Sequence, residues 1–307
     1  MKLLVAGGAG FIGSHVVDVL TARGHDVLVV DNLSSGHKEN LAASAVFIHL
    51  DLLERDRLAK LMAVERPDAV IHLAAQKSVG ASVEDPIMDA EQNIIASLNL
   101  LEAARHAGTK RIVFASTGGA LYGDTDQLPT DESHPTLPES PYGISKLAVE
   151  HYLRFYTHIH GFQTVSLRMA NVYGPRQDPL GEAGVVAIFC RRALDGEPVT
   201  FFGDGLQTRD YTYVKDAAMA FALAVEQDQS LTVNIGTGVE TSLVDLVGHL
   251  EVVQGHPIKR VMSDARPGEI RRSCLDAREA GQRLGWKACF TIEEGLAQTL
   301  DSFRGSR

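Results

Sequence analysis

The chain has 307 residues, 45% of them hydrophobic and 22% charged, a composition that can bury a sizeable core and does not read as disordered. Its net charge of −10 opposes nonspecific binding to nucleic acid, so any phosphate ligand has to be met by locally placed Arg, Lys or backbone N–H groups. No run of eighteen apolar residues reads as a transmembrane helix, and the three cysteines (Cys190, Cys274, Cys289) lack the spacing of a disulfide scaffold or a zinc site, which fits a reducing cytoplasm and no bound metal.

Met1 to Ala6 opens like a signal peptide, with a basic residue ahead of apolar ones. The run passes at once into glycines, so it reads instead as a first buried strand. Further strands are predicted at Val27–Asp31, Val46–Asp51, Ala69–Ala74, Arg111–Ser116 and Thr164–Ala170. Each is short, rich in Val, Ile and Leu, and apolar on both sides, the pattern of a parallel sheet covered on both faces. Helical segments at Ser14–Arg23, Arg55–Glu65, Glu91–Ala107 and Tyr142–His160 alternate with them. The expected fold is α/β: a doubly wound parallel sheet of Rossmann type, with ligands at the carboxyl ends of its strands. Beyond residue 171 Gly and Pro break the rhythm into shorter pieces. Leu231–Ile235 looks like one more buried strand. The expected division is therefore a cofactor-binding domain over 1–171, with a returning segment near 212–236, and a smaller, discontinuous substrate lobe from 172–211 and 237–307.

Gly7-Gly8-Ala9-Gly10-Phe11-Ile12-Gly13 follows the first strand and opens a helix. It satisfies both GxxGxxG and GxGxxG. In either reading glycine permits the tight turn and lets backbone N–H groups at the helix N-terminus reach a pyrophosphate. Phe11 and Ile12 lie within this binding turn. Asp31 ends the second strand. A carboxylate there accepts hydrogen bonds from both ribose hydroxyls and repels a 2′-phosphate, so the cofactor predicted is NAD rather than NADP.

Tyr142-Gly143-Ile144-Ser145-Lys146 is a YxxxK motif. On a helix its tyrosine and lysine share a face, and the ammonium is expected to lower the tyrosine's pKa so that the phenol can exchange a proton with a substrate hydroxyl. A second match, Tyr211 to Lys215, has the Tyr/Thr/Val content of a strand, where residues four apart stand roughly 13 Å from each other. It is set aside as chemistry. Thr117, at the end of the strand that should face Tyr142, is the expected hydroxyl relay, with Ser116 in reserve.

GGAGFIGSH, DNLSSG, HLDL, HLAAQ, STGGALYG, YGISK, LRMANVYGPRQ, RDYTYVKD, NIGTG and RPGE occur in one order along nearly the whole chain. In these motifs the chain resembles the UDP-galactose 4-epimerase branch of the extended short-chain dehydrogenases. The resemblance implies that Asp51 and Leu52 border the adenine, and that Asn32, Ala74, Lys77 and Asn93 lie along the cofactor. Lys77 is also expected on the substrate side. Asn171 would hold the nucleotide sugar, Arg209 its phosphates, and Arg266 and Glu269 the phosphates and the uridine ribose. Ser273, seven residues after Arg266, would border the 2-position of the sugar, where a small residue leaves room for an acetamido group. The resemblance further implies a homodimer paired through helices equivalent to 91–107 and 142–160, and a UDP-sugar substrate inverted at C4 through a 4-keto sugar. That substrate is UDP-glucose or UDP-galactose, with the N-acetylated pair as the alternative.

Gly118-Gly119 departs from the serine run of the best-known epimerases and resembles a bacterial and archaeal subgroup. It also bears on the other functions such a scaffold carries. Dehydratases typically place Asp-Glu directly after the threonine, and UDP-glucuronate decarboxylases usually have an acid there. A non-catalytic NAD-binding module can lose the tyrosine or lysine, and both are present here.

Overall fold

Strands whose residues are apolar on both sides have to be covered on both sides, and the chain supplies helices for each face. The computed structural model describes residues 1–179, 184–265 and 270–305. The first half runs β1 (Lys2–Ala6), α1 (Phe11–Ala22), β2 (Asp26–Asp31), β3 (Val46–His49), α2 (Arg55–Glu65), β4 (Ala69–His72), α3 (Val79–Glu84), α4 (Pro86–Ala90), α5 (Ala96–Ala107), β5 (Arg111–Thr117), α6 (Pro141–His160) and β6 (Gln163–Met169). The second half runs β7 (Asn171–Tyr173), α7 (Val185–Asp195), β8 (Val199–Phe202), β9 (Thr208–Arg209), β10 (Tyr211–Tyr213), α8 (Val214–Ala224), β11 (Leu231–Ile235), β12 (Thr241–Ser242), α9 (Leu243–Gln254), β13 (Arg260–Ser263), α10 (Arg278–Leu284) and α11 (Ile292–Arg304).

Seven strands form one sheet in the order β11-β6-β5-β4-β1-β2-β3, parallel throughout. The strand order reverses at β1, which has β4 on one side and β2 on the other. The crevice at their carboxyl ends is where such sheets bind ligands. Alternate residues of β1 serve opposite faces. Leu3 and Val5 pack with Val16, Leu20 and Phe221 of α1 and α8. Leu4 and Ala6 pack with Leu58, Leu100 and Val149 of α2, α5 and α6. A third cluster, with Phe189, Phe201, Tyr213, Leu246 and Leu300 in it, sits among the elements after β6. Three small pairs accompany it: β7 with β10, β8 with β13, and β9 with β12.

Two expectations need correction. The helix expected over 91–107 is regular only from Ala96. Glu91–Ile95 forms a π-helical turn between α4 and α5, the kind of local widening that accompanies functional sites. The segment 211–215 is a strand only as far as Tyr213, and α8 begins at Val214.

Candidate active site

The glycine loop is built by close contact. Gly7 has φ +80°, and a Cβ on it would lie 2.4 Å from the Ala74 backbone nitrogen, so β1 and the segment after β4 close on each other only through glycine. A Cβ on Gly13 would lie 2.0 Å from the Gly7 carbonyl oxygen, which fixes α1 against the end of β1. Gly10 caps α1 without any side chain, and the first turn of the helix carries no acidic residue. The opening backbone N–H groups of a helix have no partner within it, so this end presents donors and a positive dipole to an anion.

Asp31 turns its carboxylate into the same loop, where it accepts the Ala9 N–H at 3.0 Å and the Leu33 N–H at 2.8 Å. The Asn32 amide donates to Asp51 at 2.8 Å, and Asp51 also accepts the Leu53 N–H. One cavity of about 520 Å³ collects these groups. Apart from Gly10 and Asn93, every residue expected on the cofactor side lines it, from Gly7 and Asp31 through Ala74 and Lys77 to Tyr142 and Lys146. Asn93 stands one layer back. It is buried, and its amide accepts the Gln76 N–H and donates to the Gln76 carbonyl and to Asp89. Its place is to brace the wall rather than to form it.

The opposite wall comes from α6. Ser140 caps this helix by accepting the Gly143 N–H, and Pro141 fills its first position. A Cβ on Gly143 would lie 2.5 Å from the Ala120 carbonyl oxygen, so glycine lets the helix start rest on the loop after β5. Tyr142 and Lys146 share a face, with the Lys146 Nζ 5.8 Å from the centre of the Tyr142 ring. Lys146 is buried and donates to the Ala115 carbonyl at 2.9 Å.

Burial pushes Lys146 down to about 8, against the raising pull of Asp89 and Glu150. Burial and the Asp89 charge push Tyr142 up to about 12. In the protein alone, desolvation of the phenolate and the Asp89 charge set the direction of the Tyr142 shift, and it is upward. His72, at the end of β4, is held neutral, pushed by burial down to about 3.

The two candidate hydroxyls differ in what surrounds them. Ser116 is buried and its hydroxyl donates to Glu150 at 2.6 Å. Glu150 in turn takes a two-point ion pair from Arg168 of β6. The Thr117 hydroxyl is partly exposed and accepts only a long bond, 3.4 Å, from the Ala120 N–H among its described contacts.

Among the residues expected to meet the sugar, a Cβ on Gly119 would lie 3.7 Å from the Asn171 Oδ1 and 3.8 Å from the Ser273 Oγ, so these three residues meet at one corner. Ser273 is held there by its N–H to the Thr208 carbonyl. Arg209, on β9, donates to the Thr208 carbonyl at 2.7 Å. Asp210 is buried and takes N–H bonds from Thr237, Gly238 and Leu275, tying three segments of this corner together. Arg266 and Glu269 lie outside the described residues. The second YxxxK pair separates: Tyr211 is buried on β10, while Lys215 of α8 donates to Gln298.

Sequence reasoning did not find Gln76, Asp89, Ser145, Glu150 or Arg168. The only linear signals were a carboxylate four residues before Asn93 and another four after Lys146, and neither says what it faces. A more open groove of about 930 Å³, lined by Asp126, Asp131, Asp276 and Trp286 and bordered by Thr237 and Gly238, holds none of the predicted residues. Among the described residues no group of His, Cys, Asp or Glu is placed to hold a metal ion.

The cradle fits a dinucleotide. Gly7 and Gly13 have no room for a Cβ on the protein side, the helix end offers donors without a competing acid, and a carboxylate closes the far end of the same cavity.

Residues 3–236 match the model of the NAD dependent epimerase/dehydratase family. A UDP-glucose 4-epimerase of Mycolicibacterium smegmatis is 44% identical over 310 residues, covering 99% of each chain. The crystal structure of a Thermotoga maritima UDP-glucose 4-epimerase with UDP-glucose superposes with a TM-score of 0.97 at 48% identity, over 100% of this chain and 99% of that one. A Thermus thermophilus UDP-glucose 4-epimerase in complex with NAD gives 0.95 at 44% identity, over the whole of both chains.

Proposed function

The chain belongs to the NAD dependent epimerase/dehydratase family, and on that premise we propose that it is an NAD-dependent isomerase that interconverts UDP-glucose and UDP-galactose by inverting C4 of the hexose. The observation that carries the reading is the convergence of Tyr142 and Lys146 on the cavity that the glycine loop and Asp31 also line. The two glycines after Thr117 favour epimerisation over loss of water, since no carboxylate stands where elimination needs an acid and a base.

NAD, when bound, supplies a reversible acceptor and donor for the C4 hydride. Gly7 to Gly13 would hold its pyrophosphate and Asp31 its ribose, with Asp51 and Leu52 beside the adenine. Tyr142 takes the proton of the 4-hydroxyl and returns it to the epimeric oxygen. Lys146 is the cation over its ring and the group that favours the phenolate. Thr117 relays the proton, since Ser116 is committed to Glu150. Arg209, with Arg266 and Glu269, keeps the nucleotide anchored while the 4-keto sugar presents its other face, and Asn171 and Ser273 border that sugar. The cofactor domain is residues 1–171 with the return near 212–236, and 172–211 with 237–307 form the sugar lobe.

Ser273 favours a second substrate pair. The corner it shares with Gly119 and Asn171 has small walls, which suits UDP-N-acetylhexosamines as well as plain hexoses. We further infer a homodimer, supported by the exposed Phe155 and Ile159 on α6, and a cytoplasmic site of action, supported by three cysteines without pairing spacing.

The deciding experiment incubates purified protein with UDP-galactose and no added cofactor and resolves the sugar products by NMR. UDP-glucose appearing to an equilibrium mixture is the expected result. An unsaturated or pentose product, or no product with NAD bound, overturns the assignment.

A further inference from the structure

Asp89 is fully buried on α4, and each hydrogen-bond partner of its carboxylate among the described residues is neutral. One carboxylate oxygen accepts the Ser145 hydroxyl at 2.6 Å. The other accepts the Asn93 amide at 2.8 Å and the Gln76 amide at 3.0 Å. A carboxylate taken out of water without a cation is expensive, and its presence calls for a reason. Ser145 stands in the helical turn between Tyr142 and Lys146, so the carboxylate grips α6 at the point that carries the reacting pair.

The charges around Lys146 narrow the reason further. Glu150, one turn along α6, is neutralised by the two-point pair with Arg168 from β6. His72 from β4 is neutral. Tyr142, on α6 itself, is a neutral phenol below pH 12 or so. Asp89, whose carboxylate partners among the described residues are neutral, is the largest influence opposing the effect of burial on Lys146.

We propose that Asp89 is a positioning residue for Tyr142 and Lys146: through Ser145 it sets how α6 presents both side chains, and its carboxylate is the counter-charge for the Lys146 ammonium. This rests on Tyr142 and Lys146 being the reacting pair. It adds to the motif a member fifty-six residues away in sequence from Ser145.

The test is Asp89→Asn, which keeps the shape and removes the charge. Protein labelled with 13C in its lysines is titrated with and without NAD, following the Lys146 ε-carbon, assigned by its loss in Lys146→Met. In Asp89→Asn the Lys146 midpoint falls from near 8 by about one unit, a tenfold change in its ionisation. In parallel, kcat on UDP-galactose falls about tenfold at pH 8 while KM stays within about threefold. A folded Asp89→Asn protein with an unmoved Lys146 midpoint overturns the proposal. If that variant does not fold, Ser145→Ala takes its place. With one donor gone the carboxylate's charge is less dispersed, so the midpoint rises, and an unmoved midpoint there overturns the proposal equally. Wild-type protein that fails to convert UDP-galactose while the midpoint still moves in Asp89→Asn would sink the functional assignment and leave the electrostatic link standing.

Discussion

Tyr142 and Tyr211 begin the same five-residue pattern, yet only Tyr142 lines the cavity. Tyr142→Phe should lower turnover by about 10²–10⁴-fold, as expected for loss of an acid–base group, and leave UDP-sugar affinity nearly intact. Tyr211→Phe, in the third core, should keep turnover; the reverse pattern in steady-state assays would reject the choice between the motifs. At the sugar corner, Ser273→Tyr would add a ring beside Gly119 and Asn171. Overpacking a defined pocket costs about 1–3 kcal/mol, or one to two orders of magnitude in preference. The variant should therefore spare UDP-galactose and lose UDP-N-acetylgalactosamine in paired kinetic assays; equal losses on both would reject this role. Lys146 makes a prediction about pH. Its folded value of about 8 lies below the ordinary 10.5, so the unfolded chain holds the proton more tightly. Its penalty is fully present below pH 8 and is relieved as pH rises toward 10.5, by up to about 3 kcal/mol. Urea melts of the ligand-free protein should gain stability between pH 8 and 10, and Lys146→Met should flatten that rise. An equal rise in the variant would show that Lys146 is not its source.

At the scale of elements, the glycine loop is the least tolerant join. Gly13→Ala would drive a methyl to 2.0 Å from the Gly7 carbonyl oxygen, so α1 must withdraw from β1. Purified Gly13→Ala protein should carry little or no NAD, read from the nucleotide released on denaturation, while its far-UV circular dichroism is preserved. Full NAD content in that variant would mean that the loop yields. The sheet was legible in the sequence because a strand buried on both faces must be apolar along its buried run, as Leu3–Ala6 of β1 and Ala69–Ile71 of β4 are. The helix expected over Tyr142–His160 is α6 to within one residue, and Ser140, Pro141 and Gly161 supply its local start and stop. The π-turn over Glu91–Ile95 was not legible, since its residues keep a helical pattern and only packing widens the turn. Nor were the pairs β7–β10 and β8–β13, each a short parallel ladder whose partners are brought together by the lobe. The cofactor cradle was legible as a linear motif. Asp89, Ser145, Glu150 and Arg168 were not, because each acquires its meaning from a residue distant in the chain.

At the scale of the whole molecule, α6 leaves an apolar stripe uncovered. Ile144, Tyr152, Phe155 and Ile159 lie on one helical face, and α3 and α4 set Val83 and Ile87 beside that helix, all of them exposed. On the proposed pairing the wild type should be a dimer by light scattering and the double variant Phe155→Glu/Ile159→Glu a monomer with an unchanged circular dichroism spectrum; a wild type that is itself monomeric at micromolar concentration rejects the pairing. The path of the chain through the sheet has a different consequence. It departs at the end of β6, builds much of the sugar corner, and re-enters at β11, which is hydrogen-bonded to β6 from Val165–Leu231 to Met169–Ile235. The excursion thus begins and finishes on adjacent strands of one ladder. Apart from α8, whose Phe221 packs with Leu3 and Val5 of β1, a segment anchored in that way can vary while the ladder keeps its register. Evolution is therefore free to redesign what is recognised while leaving the dinucleotide grip untouched, much as an interchangeable tool head is fitted to a fixed handle.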